Sequence, residues 1–217
     1  MSGGPEGDRR DLLTALLLVL TVLSGLVDAM SILSLDHVFV ANMTGNLVFV
    51  SLALAGAPGF SVVTSLVALG GFAVGILFCR AALARLSPAI TLVSAAAVCE
   101  TVLLGSATAL HALDGSRRVL VMVCAVAMGI QNAMAGRVAI AGLTTTVMTR
   151  TLVGLLGGAA AHDRRVAVRQ ALSVAALVTG ALTGGLLVLL VAPAAALAAA
   201  AGCALVVAAT ATVAARR

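Results

Sequence analysis

Apolar residues run along this chain in blocks too long for strands and too unbroken for the helices of a soluble domain. Six blocks, Leu12 to Leu33, Val62 to Phe78, Ala89 to Leu113, Val119 to Gly136, Ala171 to Val191 and Ala194 to Ala214, reach or approach the roughly 20 residues that cross a bilayer as an α-helix. Two shorter stretches, Phe39 to Leu54 and Leu143 to Leu156, carry polar residues in their middle; the first contains FVANMTGNLVF and the second TTTVMTRT. The pattern predicts an all-α integral membrane protein with about six transmembrane helices and two short segments that are re-entrant or broken. Non-helical backbone at membrane depth is tolerated only where protein or a water-filled cavity satisfies it.

Self-comparison adds an internal repeat. GLVDAM, starting at Gly25, returns as GIQNAM, starting at Gly129, and AAAVC, ending at Cys99, returns as AAAGC, ending at Cys203. Both are displaced by about 104 positions, close to half of the 217 residues. Thr44-Gly45-Asn46 then falls opposite Thr149-Arg150-Thr151, and Gly71-x-x-x-Gly75 opposite Gly180-x-x-x-Gly184. The expected division is a tail over 1–11, a first membrane repeat over 12–113 and a second over 114–217.

All 13 basic residues are arginine, and their placement bears on orientation. Short segments that cross completely would leave Arg80, Arg85 and Arg137 outside. Short segments that enter and leave on one face put the N-terminus, Arg80, Arg85, Arg137, Arg164, Arg165, Arg169, Arg216 and Arg217 in the cytoplasm, with only Arg117 and Arg118 outside, which the positive-inside rule favours. Three spans per half then make the halves face opposite ways, the inverted repeat common among transporters.

Composition supports this picture. At 62% hydrophobic and 10% charged residues the chain has no room for a soluble domain of ordinary composition. The net charge of +5 would suggest nucleic acid in a soluble protein. In a membrane protein it reads as topology, so the expected partner is the lipid bilayer and not nucleic acid, with homo-oligomerisation left open. Arginine without lysine, in a chain rich in Ala and Gly, suggests a GC-rich bacterial genome and hence the bacterial cytoplasmic (inner) membrane, with both termini in the cytoplasm. Cys79, Cys99, Cys124 and Cys203 lie in apolar segments without ligand spacing, so they read as packing residues and no metal or cofactor is expected. Arg9-Arg10 and the apolar run to Val27-Asp28-Ala29 mimic a cleavable signal. Hydrophobicity continues past that point and the local sequence recurs in mid-chain, which argues against one.

The candidate chemistry sits in the polar interruptions. Asn42, Thr44, Gly45 and Asn46 supply what a broken helix start needs: side chains to cap free amides, and a glycine for close approach. Asp28 lies inside the first span, where a carboxylate is a functional candidate by default, and its repeat counterpart is the neutral Asn132, preceded by Gln131. Thr145 and Thr149 mark the second short segment, where Arg150 either snorkels to the cytoplasmic surface or faces an anion. Glu100, mid-span and opposite Ala204, ranks below Asp28. The glycine pairs read as close helix contacts. Structural readings compete throughout, since Asn and Thr also hold helices together. His37, His111 and His162 fall near segment ends with no catalytic motif, so no enzyme is expected.

At VDAM, FVANMTGNLVF, GIQNAM and TTTVMTRTLV the sequence resembles the YoaK-like family of bacterial membrane proteins, over about Leu12 to Val207. The resemblance implies a polytopic inner-membrane protein of about six spans, with Asp28, Asn42, Thr44, Gly45, Asn46, Gln131, Asn132, Thr145 and Thr149 as the family-like positions. Arg150 departs from the glycine usual there. The expected function is a small secondary transporter or permease for a small polar or ionic solute, proton- or cation-coupled through Asp28. The alternatives are a non-transporting structural or partner protein and a passive channel.

Overall fold

The computed structural model describes residues 5–140, 151, 153 and 164–216, and the expected site residues Thr145, Thr149 and Arg150 lie outside them. Among the described residues seven helices follow in order: α1 (Pro5–Ser34), α2 (Met43–Leu54), α3 (Val62–Ala82), α4 (Ala89–Ala112), α5 (Arg117–Val138), α6 (Arg164–Leu190) and α7 (Pro193–Ala215). Six of them, all but α2, are long and apolar enough to cross a membrane. The helices overrun the apolar blocks, most at α1 and α6, because leucine and arginine are both good helix formers and the helix continues through charged turns beyond the greasy stretch. α2, at 12 residues, is too short to span.

Local chemistry fixes several ends. After α1 the chain reverses through Asp36 and His37, both at positive φ, a region Asp and His tolerate better than most residues. The Ser61 side chain caps α3 by accepting the Thr64 amide. Pro193 occupies the start of α7, where its missing N–H costs nothing.

α1 and α5 are the most enclosed spans and form the centre of the bundle. Buried Leu13, Leu16, Leu20, Leu23, Val27 and Met30 recur at alternating three- and four-residue spacing along α1, the seam expected of left-handed helix packing. Lipid tails are as apolar as leucine, so close backbone approach, and not hydrophobic burial, must hold such helices together. Two crossings supply it. Where α1 meets α6, a Cβ added to Gly180 would strike the Val22 carbonyl, and one added to Gly25 the Leu177 carbonyl. Where α3 meets α5, a Cβ on Gly75 would strike the Val126 carbonyl, and one on Gly129 the Phe72 carbonyl. Gly71 and Gly184 extend the same two contacts, with added carbons 2.9 Å from the Met122 oxygen and 2.8 Å from the Leu26 oxygen. The expected close-contact role of the glycine pairs holds. α4 and α7 pack on each other, joined by a 2.7 Å Ser94–Thr212 hydroxyl contact.

Side-chain contacts show which helix ends lie together. Asp36, just past α1, pairs with Arg117 at the start of α5 at 3.2 Å and accepts from Thr64 at the start of α3 at 3.4 Å. At the opposite end Arg137 of α5 donates to the Leu83 and Ala84 carbonyls beyond α3, at 2.8 and 3.0 Å. α1 therefore runs antiparallel to both α3 and α5.

Candidate functional site

The residues between α1 and α2 set the geometry. Having turned back at Asp36, the chain descends beside α1 until Val40 and Ala41 lie level with Asp28, about 9 Å below the end of α1 at 1.5 Å per residue. Both backbone amides donate to one carboxylate oxygen, Asp28 Oδ1, at 2.9 and 2.8 Å. An unpaired amide in this setting costs a few kcal/mol, so Asp28 anchors the break. The structural reading of Asp28 thus accounts for one of its oxygens; Oδ2 has no hydrogen-bond partner among the described residues.

The two asparagines of the motif divide into different roles. Asn46 is fully buried and clamps the Phe39 peptide from both sides, accepting its N–H at 2.9 Å and donating to its carbonyl at 2.6 Å. That placement makes Asn46 a fastener of the loop rather than a solute contact. Asn42 stands at the N-cap position of α2 but makes no capping hydrogen bond, contrary to the expected cap; its side chain is exposed. Gly45 is needed for close approach, since a Cβ there would come 2.5 Å from the Phe39 ring. Phe39 stacks on Phe49 at 5.5 Å between centroids, and Phe49 meets Phe60 at 5.0 Å.

Beside this loop lies a cavity of about 690 Å³. It gathers Asp28, Asn42, Thr44 and Gly45 from the expected set, and Asn132 reaches it from α5. Phe72 of α3 and Leu177 of α6 add apolar wall. Gln131 faces the α1–α5 contact instead, fully buried, donating to Ser24 Oγ at 2.7 Å and the Leu20 carbonyl at 3.2 Å. Glu100 lies elsewhere in the bundle, fully buried, with neither oxygen partnered among the described residues.

Sequence reasoning passed over Ser24, which lines the cavity one helical turn before Asp28. Its four-residue spacing from Asp28 puts the two on one face of α1 and was the available signal. A second cavity, about 780 Å³, opens at the Asp36 end and includes His37, His111, Asp114 and Arg117; Ile32 lines both cavities.

Comparison with known proteins agrees with the helical membrane architecture. The UPF0700 transmembrane protein YoaK of Bacillus subtilis (strain 168) is 34% identical over 145 residues, an alignment covering 65% of this chain and 64% of YoaK. No solved structure matches. A family model described as "Protein of unknown function (DUF1275)" matches residues 16–210, nearly the whole membrane-embedded chain, and this multi-pass membrane protein therefore belongs to the DUF1275 family.

Proposed function

We propose that this chain is a small secondary transporter, or permease, whose solute pathway passes through the cavity beside Asp28. The observation that carries this reading is the coincidence, within the apolar span of α1, of a broken backbone, a carboxylate oxygen with no partner among the described residues and a cavity. Transporters commonly bind their solutes where helices break near an inverted-repeat interface. No catalytic step is part of the proposal.

In this reading the helices form an inverted repeat, α1, α3 and α4 against α5, α6 and α7, and the segment holding α2 is re-entrant. Several features support it. Asp36, just past α1, meets both Thr64 at the start of α3 and Arg117 at the start of α5, so residues 35–61 leave and return at one end of the bundle. Gly25 with Gly180 and Gly129 with Gly75 form crossings in which the first helix of each half meets the second long helix of the other. The register that matches these crossings places Gly75 opposite Gly180, four residues from the Gly71–Gly180 correspondence expected from sequence. α3 and α6 diverge too much outside that contact for spacing alone to set the register. Arg80, Arg85, Arg137, Arg164, Arg165, Arg169 and Arg216 belong to helix ends opposite Arg117 and Arg118. The positive-inside rule then assigns that end, and both termini, to the cytoplasm of a bacterial inner membrane.

Cysteine accessibility tests the pathway. In membrane vesicles, Asn42→Cys and Thr44→Cys should react with a water-soluble maleimide, while Leu77→Cys, on a lipid-facing surface of α3, should not. Unreactive Asn42→Cys and Thr44→Cys proteins that remain folded would favour a helix-packing protein that transports nothing, the reading that the Asn46 clamp by itself would suggest.

A further inference from the structure

The charges around the cavity narrow what can occupy it. Among the described residues that line it, Asp28 is the only ionisable one, and none of them is an arginine or a histidine. Asp28 also has no ion pair among the described residues, where the one salt bridge joins Asp36 to Arg117. Its Oδ1 is committed to the Val40 and Ala41 amides, leaving Oδ2 for an incoming group. A carboxylate in a cavity of reduced dielectric attracts a cation and opposes an anion far more strongly than it would in water.

Size and apolar lining separate the kinds of cation. At about 690 Å³ the space suits a small molecule and is far larger than a desiccated metal ion requires. No group of three or more His, Cys, Asp or Glu side chains able to hold a metal occurs among the described residues. Phe39 and Phe72 offer aromatic surface, with Met43 and Ile32 beside them, and ring faces attract organic cations. Asn42 and Thr44 provide oxygens that can accept from an ammonium group.

Resting on the transport reading of this cavity, we propose that its solute is a small organic ammonium. The charged head pairs with Asp28 Oδ2 and the alkyl body lies against Phe39 and Phe72. The carboxylate, with Oδ2 unpartnered among the described residues, sets the sign of the ligand.

Protection from labelling tests this with defined probes. Full-length Thr44→Cys protein in vesicles is treated with a water-soluble maleimide in the presence of ethylammonium or propylammonium chloride, sodium chloride at equal ionic strength, propanol, or L-alanine. The wild type, with its native cysteines, sets the background. The alkylammonium salts should slow labelling several-fold, and the other additives should leave it near the untreated rate. Asp28→Asn keeps an oxygen for the Val40 and Ala41 amides and removes only the charge, so protection should vanish in Asp28→Asn/Thr44→Cys while labelling persists. Equal protection by propanol or sodium chloride, protection by alanine alone, or protection that survives Asp28→Asn would overturn the proposal. Absence of labelling at both Asn42→Cys and Thr44→Cys would remove the pathway reading itself, whereas labelling without protection would remove only the ammonium assignment.

Discussion

The α1–α6 and α3–α5 crossings are built alike and differ in what stands one turn beyond them. Each places glycine against glycine so closely that a single added carbon would enter a neighbouring carbonyl. Beyond Gly25 comes Asp28, bonded to two amides of the α1–α2 connection; beyond Gly129 comes Asn132, which reaches the same cavity without a formal charge. The close packing occurs twice and the carboxylate once. Scaffold and chemistry can therefore be perturbed separately.

The largest effect should come from filling a crossing. Gly180→Val and Gly75→Val each force a branched side chain into backbone, an overpacking expected to cost ~3 kcal/mol or more. Folded protein should be lost in detergent size-exclusion chromatography. Gly185→Val and Gly70→Val are the matched controls, since an added Cβ at either position meets open space, and both should fold normally. Similar losses in all four would break the claim that the crossings hold the bundle.

Next in size is the anchoring role of the carboxylate. Asp28→Ala leaves the Val40 and Ala41 amides without their acceptor, at about 1–3 kcal/mol for each donor stranded away from water. The thermal midpoint should fall clearly, whereas Asp28→Asn should stay close to the wild type. Asn46→Ala strips both bonds from the Phe39 peptide and should cost about 1–3 kcal/mol, read as faster proteolysis within residues 35–61. The smallest effect should carry the opposite sign. Neither Glu100 oxygen has a partner among the described residues, and an apolar residue of similar volume at a buried ionisable position is often neutral or stabilising. Glu100→Met should therefore hold or raise the thermal midpoint. A drop comparable to that of Asp28→Ala would show that Glu100 has a structural duty the geometry does not reveal.

The spans were legible because membrane depth imposes a length and a composition that hydropathy reads directly, as Val62–Ala82 and Pro193–Ala215 illustrate. The break between α1 and α2 was legible as well, from Asn42, Thr44, Gly45 and Asn46 standing in an apolar run. Which asparagine faces the cavity was not. Asn42 and Asn46 are chemically identical, and their roles depend on the chain doubling back so that Phe39 lies against Asn46, a tertiary event that no local pattern encodes. Asp28 was found from its place in a span, but its two amide partners lie 12 and 13 positions away. Nothing in helical periodicity points to them.

The Phe39–Phe49–Phe60 stack has a practical consequence in spectroscopy. The chain contains no tryptophan and no tyrosine, so its near-ultraviolet emission is almost dark. Phe49→Trp would install a single indole between two phenyl rings, on the short helix whose first turn lines the cavity. Every emitted photon would then come from one known place. Its wavelength would report the polarity beside α2 in a purified sample, free of the overlapping signals that complicate most membrane proteins.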